Sequence, residues 1–307
     1  MAAVPSPVLL TGATGFIGRH LHVLLLDRGI AVRALVRPAS AARAALDPRC
    51  EVVAGELTDP AAWSRALDGA GAVVYGAGAV RGRDYQDFVP ANVAGVAIMA
   101  AVMAELAAPP PVVLLSSLAA SRPYLSHYAG SKRAGERALT DSALARWTVL
   151  RPPAVYGPGD EEMRPLFDLV RRGIALRPGP PGQRLSLLHV DDLVRAVAAA
   201  LTAPEACRGQ TFAIDDGKPG GYDWGEIARD VAGRPVRELG VPFRLLRGLG
   251  ALNLACARLF RYAPMLSPGK ARELHEANWL CDNRAFTHAT GWRPEVDLEH
   301  GAAALYS

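Results

Sequence analysis

The sequence predicts an α/β fold, a doubly wound parallel sheet followed by a smaller C-terminal unit, on three observations. From Met1 to about Arg151 short apolar runs alternate with helical patterns, and successive runs lie far enough apart to hold a crossover helix. A glycine-rich TGATGFIG stands at residues 11–18, directly behind the apolar Val8-Leu9-Leu10. Beyond Pro152 the alternation fades, and GPGD at 157–160 and RPGPPG at 177–182 mark loops. The first two observations together describe a Rossmann-type sheet.

Residues 8–10 read as a short buried strand. From Phe16 onward Ile17, Leu21, Leu24 and Leu25 recur at helical spacing until Gly29 stops the helix. Further strands are expected at 31–36, 51–54, 72–75, 112–115 and 148–150. Residues 1–164 are assigned to the large unit and 165–307 to the smaller one. Within the latter, 185–203 is expected to fold back onto the large unit, with Leu187-Leu188 as a late strand and 191–201 as a helix capped by Asp191.

Gly12, Gly15 and Gly18 sit on the first strand-to-helix turn. A side chain at Gly12 or Gly15 would keep the backbone from closing on a pyrophosphate, and one at Gly18 would push the helix off the sheet. The helix N-terminus offers unpaired N–H groups and a positive dipole end to phosphates. Gly12, Thr14, Gly15, Phe16, Ile17 and Gly18 are therefore the expected cradle of a dinucleotide, and 1–164 is its domain. At the end of the second strand, where an acidic side chain would meet a ribose 2′-hydroxyl, stands Val36, followed by Arg37. An arginine suits a 2′-phosphate through paired hydrogen bonds, which favours NADP(H) over NAD(H).

Tyr128-Ala-Gly-Ser-Lys132 supplies a proton donor. A free tyrosine has a pKa of about 10 and needs a nearby positive charge to act near neutrality. A lysine four residues later on a helix shares its face. Ser117, at the carboxyl end of a parallel strand, would face the same crevice and hydrogen-bond a carbonyl or alcohol oxygen.

These motifs, in this order, resemble the extended short-chain dehydrogenases/reductases. TGATGFIG matches their TGxxGxxG, Tyr128 and Lys132 their YxxxK, and Ser116-Ser117 ends the fifth strand as their catalytic serine does. Arg151-Pro-Pro-Ala-Val-Tyr-Gly-Pro-Gly matches RPxxVYGPG, and Gly291-Trp-Arg-Pro is a weaker echo. The resemblance implies that Lys132 also grips the nicotinamide ribose. It implies that Asn92 orders a helix kink and a water relay behind the lysine, and that Glu56-Leu57 frames the adenine. By the same resemblance Ala77-Gly78 lets the cofactor pass closely, Ser116 is a hydrogen-bonding neighbour of the catalytic serine, and Pro152 and Val155 join the cofactor contacts. A homodimer through helices near 84–106 and 128–142 is expected by analogy.

Two departures narrow the chemistry. Leu118-Ala119 replaces the acidic pair of sugar-nucleotide dehydratases, and Ala154 replaces an asparagine of many sugar-nucleotide epimerases. The pattern is closer to the hydroxysteroid dehydrogenase and dihydroflavonol reductase-like branch, with apolar ketones or alcohols as substrates. The expectation is an NADP(H)-dependent oxidoreductase moving a hydride to or from a carbonyl/alcohol carbon of a hydrophobic small molecule. An NAD-dependent sugar-nucleotide epimerase is the alternative within enzymes. A non-catalytic dinucleotide sensor or assembly subunit is the alternative outside them, and the intact Tyr128/Lys132 pair counts against it.

Four scattered cysteines without a CxxC pair argue against a zinc site or a disulfide framework and suit a reducing cytoplasm. The N-terminus lacks the basic start of an export signal. A net charge of +4 without a basic stripe gives no reason to expect nucleic acid. At 243–261 an apolar arc of Leu245, Leu249, Leu252, Cys256, Leu259 and Phe260 opposes Arg244, Arg247, Arg258 and Arg261. A helix packed on the small domain is the first expectation; a greasy substrate lining and a membrane-surface contact are the others.

Overall fold

The computed structural model describes residues 4–39 and 46–306, so residues 1–3, 40–45 and 307 of the expected domains lie outside it. The large unit runs β1 (Val8–Thr11), α1 (Phe16–Asp27), β2 (Val32–Val36), β3 (Glu51–Ala54), α2 (Pro60–Leu67), β4 (Ala72–Tyr75), α3 (Gly95–Ala104), β5 (Val112–Leu115), α4 (His127–Thr140) and β6 (Trp147–Arg151). There follow β7 (Ala154–Tyr156), α5 (Arg164–Arg171), β8 (Ile174–Arg177), β9 (Arg184–Leu185), β10 (Leu187–His189), α6 (Val190–Thr202) and β11 (Gln210–Ala213). The chain closes with α7 (Trp224–Ala232), β12 (Arg237–Gly240), α8 (Phe243–Phe260), α9 (Pro268–His275), β13 (Asn278–Trp279), α10 (Arg284–Thr290) and α11 (Leu298–Ala304).

Seven parallel strands form the main sheet in the order β11-β6-β5-β4-β1-β2-β3. Successive side chains of a strand point to opposite faces, and here both faces are covered. Val8 and Leu10 of β1, Val74 of β4 and Val113 of β5 pack toward α1 and α6. Leu9, Val73, Leu114 and Tyr75 join Trp63 of α2 and Met99 of α3 on the other side. Burial on both faces is why these strands read as continuous apolar runs rather than alternating ones.

The strand order reverses between β1 and β4, so the crevice for a ligand lies outside their carboxyl ends. The seventh strand, β11, comes from within the stretch expected to form the smaller unit. Its QTFA buries only Phe212 at the sheet edge and so carries little apolar signal. Helix α6 packs along α1, whereas β10 pairs with β7 in a separate two-stranded sheet. Asp191 is not the cap of α6. The helix begins at Val190, His189 Nδ1 accepts the Asp191 backbone N–H, and the Asp191 carboxylate meets His20 Nδ1 of α1 at 3.2 Å. A third cluster, with Tyr156, Phe167, Trp224 and Leu298, forms the core of the smaller unit.

Helix α8 forms in spite of Gly248 and Gly250, but not as first expected. Leu246, Gly250 and Ala257 face the protein, and the apolar arc of Leu245, Leu249, Leu252, Leu259 and Phe260 is exposed. The side that packs is the narrow one with small residues.

Candidate active site

The glycine turn follows β1 directly. Gly12 adopts φ +75°, and a Cβ there would lie 2.7 Å from the Gly76 carbonyl at the end of β4. At Gly18 a Cβ would come within 2.0 Å of the Gly12 oxygen, so this glycine keeps the turn itself closed as well as the helix near the sheet. No side chain caps α1 at Gly15, and its first turn holds no acidic residue. An uncapped, uncompensated helix start above a tight glycine turn suits an anionic phosphate. Thr14 lies within the turn, and its carbonyl accepts from Arg19 Nε at 2.9 Å. Phe16 stands edge-on to His20, and Ile17 packs on the core.

On one side of this turn Arg37 is exposed just beyond β2, and Glu56 is exposed with Leu57 half-buried just beyond β3. On the other, Ala77 and Gly78 follow β4, and Asn92 closes over them. Its Oδ1 accepts the Ala79 N–H at 2.9 Å, while Nδ2 donates to the Ala79 carbonyl at 3.0 Å and to Ser131 Oγ of α4 at 2.8 Å. Asn92 lies in a wide five-residue turn, Pro90–Ala94, that runs into α3. An ideal Cβ at Gly78 would be 3.2 Å from Asn92 Oδ1 and 3.6 Å from Lys132 Nζ, so only a side-chain-free residue leaves room there.

Ser126 caps α4 by accepting the Ala129 N–H, which places Tyr128 and Lys132 on its first turns. Lys132 Nζ donates to the Leu115 carbonyl at the end of β5, at 2.7 Å. Burial pushes its pKa down to about 8, with Glu136 pulling the other way. Tyr128 titrates above its ordinary value, chiefly through burial; the Ser117 hydroxyl and the Lys270 charge oppose the rise, and Glu273 and Glu162 add to it. Phenol and ammonium thus sit on the same side of the sheet, at the carboxyl end of β5.

The paired serines are held differently. Ser116 is buried and donates to Glu136 Oε1 at 2.5 Å, and Glu136 in turn receives two hydrogen bonds from Arg151, at 2.7 and 2.5 Å. Ser117 is half-buried, its Oγ accepting the Ala119 N–H at 3.2 Å and its hydroxyl standing within hydrogen-bond reach of the Tyr128 phenol. Pro152 is buried with its carbonyl accepting from the Leu118 N–H at 2.8 Å, and Val155 is half-buried in β7.

Tyr128 opens onto a cavity of about 260 Å³. Phe88, Leu254 and Met265 give it apolar walls; Arg83, Lys270 and Glu273 give it charge. The last two lie on α9, where Lys270 Nζ stands 3.0 Å from Glu273, which accepts from Ser126 Oγ, and Arg272 Nε donates to the Leu125 carbonyl at 2.7 Å. The C-terminal unit is thereby tied to the start of α4. Sequence reasoning missed α9. Its one available signal was Lys270, one of three lysines in the chain.

The family model described as NAD dependent epimerase/dehydratase family matches residues 8–214. The chain is 38% identical to a ceramide reductase of Caulobacter vibrioides, over 93% of this chain and 93% of that protein. It is 28% identical to a 2-alkyl-3-oxoalkanoate reductase of Stenotrophomonas maltophilia, over 97% and 98%. Among solved structures, the Bordetella bronchiseptica enzyme WbmG in complex with NAD and UDP superposes with a TM-score of 0.71 at 20% identity, covering 97% of this chain and 92% of that one.

Proposed function

The chain belongs to the NAD dependent epimerase/dehydratase family, as an NAD(P)-dependent enzyme of the extended short-chain dehydrogenase/reductase type, and from that premise we propose that it interconverts a ketone and an alcohol on a hydrophobic small molecule with NADP(H). The observation that carries the proposal is the approach of the Ser117 hydroxyl to Tyr128, with Lys132 anchored at the end of β5, beside a cavity that Phe88, Leu254 and Met265 line in part. The glycine turn fits a dinucleotide through the uncapped, uncompensated N-terminus of α1 behind it. The nicotinamide, when bound, supplies or accepts the hydride.

Tyr128 does the proton work. Its raised pKa keeps Oη protonated at neutral pH, the form that gives a proton to a carbonyl oxygen. Ser117 donates a hydrogen bond to the same oxygen and stabilises the charge that gathers there. Lys132, aimed by the Leu115 carbonyl and bordered by Asn92 and Gly78, holds the ribose and keeps positive charge near the phenol. Arg37 meets a 2′-phosphate, and no carboxylate competes at Val36. The Stenotrophomonas relative is by name a reductase of a ketone on an alkyl chain, and Phe88, Leu254 and Met265 offer such a chain an apolar wall. A homodimer accompanies this reading: α3, GVAIMAAVMA, is apolar all round yet leaves Ala97 and Ala101 exposed, a face for a second copy.

Two measurements test the proposal. Tyr128→Phe should lower turnover by about 10²–10⁴-fold while NADPH affinity, read by fluorescence titration, stays unchanged; normal turnover refutes the assignment. In the same titration the wild type should bind NADPH more tightly than NADH. Tight NAD retained through purification, with no consumption of NADPH, points instead to an epimerase.

A further inference from the structure

Helix α8 has three faces at 100° per residue. The narrow one, Leu246, Gly250 and Ala257, is buried against the protein, and a Cβ at Gly250 would come within 2.8 Å of the Ser267 backbone. The second stands in solvent: Leu245 is 54% exposed, Leu249 48%, Leu252 63%, Leu259 75% and Phe260 71%. The third carries Arg244, Arg247, Arg258 and Arg261, for which no ion pair occurs among the described residues. Residues 243–261 contain no Asp or Glu, so this one segment carries four positive charges in a chain whose net charge is +4.

We propose that α8 lies in the plane of an anionic lipid bilayer with its leucine face inward. A contiguous row of exposed aliphatic side chains marks an interaction face, and leucine and phenylalanine opposite arginine is the make-up of a helix that beds at a lipid surface. Charge selects the occupant. A second copy carries the same four uncompensated arginines and is repelled at long range, whereas an anionic surface attracts all four. No described helix is long and apolar enough to cross a membrane, so the contact is in the surface plane.

The same segment reaches the reacting centre. Leu254 of α8, with Pro264 and Met265 just after it, lines the cavity that holds Tyr128, and Met265 is also 40% exposed on the outside. Leu254, on the arginine side of α8, thus ties the helix to that cavity.

The test is co-sedimentation of the full chain, without cofactor or substrate, with phosphatidylcholine vesicles that contain or lack phosphatidylglycerol. Binding should require the anionic lipid and weaken as salt is raised. Leu252→Glu with Leu259→Glu should weaken it by roughly tenfold or more, and Arg247→Ala with Arg258→Ala by about fivefold per arginine. All four positions are exposed, so thermal melting and NADPH binding should not change and serve as the folding control. No binding to anionic vesicles, or binding indifferent to the glutamates, overturns the proposal. A concentration-dependent dimer broken by Leu252→Glu, with no vesicle binding, would assign the face to a second copy. Because lipid binding is read without turnover, its failure leaves the reductase reading standing, and loss of the reductase reading leaves the lipid contact to be judged alone.

Discussion

Burial moves Tyr128 and Lys132 in opposite directions: it raises the phenol and lowers the ammonium to about 8. Each shift favours the neutral group, so the protonated phenol is secure at neutral pH and the charged lysine is the vulnerable partner. The sign follows. Lys132 carries its charge below about 8 and loses it as pH rises through that value. Turnover should therefore fall on the alkaline side of pH 8 while Tyr128 is still protonated, and a pH–rate profile checks this; activity flat to about pH 10 would contradict the role of the lysine. The common place of Tyr128 and Lys132 on the first turns of α4 was legible in the sequence because four residues on one helix are a local geometry. Lys270 was not, since its approach to Tyr128 is created by the docking of α9 on Ser126 and Leu125 from the far end of the chain. Nor was the cap of α6: an Asp followed by a helical pattern suggests a cap, but His189 takes that place and Asp191 turns to His20.

At the scale of elements, α4 is fixed by Glu136 as much as by its apolar face. This carboxylate is 2% exposed, receives both arms of Arg151 from β6 and accepts from Ser116 at the end of β5. Removing its charge leaves a buried guanidinium without a partner, a loss of about 3–5 kcal/mol. Glu136→Ala should lower unfolding stability in urea by that amount, whereas a change within about 0.5 kcal/mol would show the pair to be dispensable. The serine pair follows from the same contact. Ser116 is spent on Glu136, which leaves Ser117 to the crevice. Sequence order alone could suggest that division but not explain it. The apolar arc of α8 was equally legible as a pattern, but not its exposure, because the side that packs is set by the close approach of Gly250 to Ser267.

Across the whole molecule, the strands read from sequence in the middle of the main sheet are buried on both faces, where apolar runs leave no doubt of their period, and the edge strand β3 was read from Val52-Val53 although none of its residues is fully buried. The missed strand, β11, is an edge with a single buried residue. Of the remaining strands Leu187-Leu188 of β10 was read in the sequence; the others escaped notice because they are short, down to two residues in β9 and β13, and are held by pairing between distant segments. The C-terminal part of the chain supplies Leu254, Met265, Lys270 and Glu273 to the cavity, and no local sequence motif marks that contribution. The central claim is that this cavity delivers a ketone to Tyr128 while hydride comes from NADPH. Its most direct measurement uses NADPH deuterated at nicotinamide C4 and a long-chain ketone. One deuterium should appear on the carbinol carbon for each NADPH oxidised, and that transfer should be lost in Tyr128→Phe. Alcohol formed without deuterium from either face of the labelled ring, or no alcohol with the wild type, would contradict it.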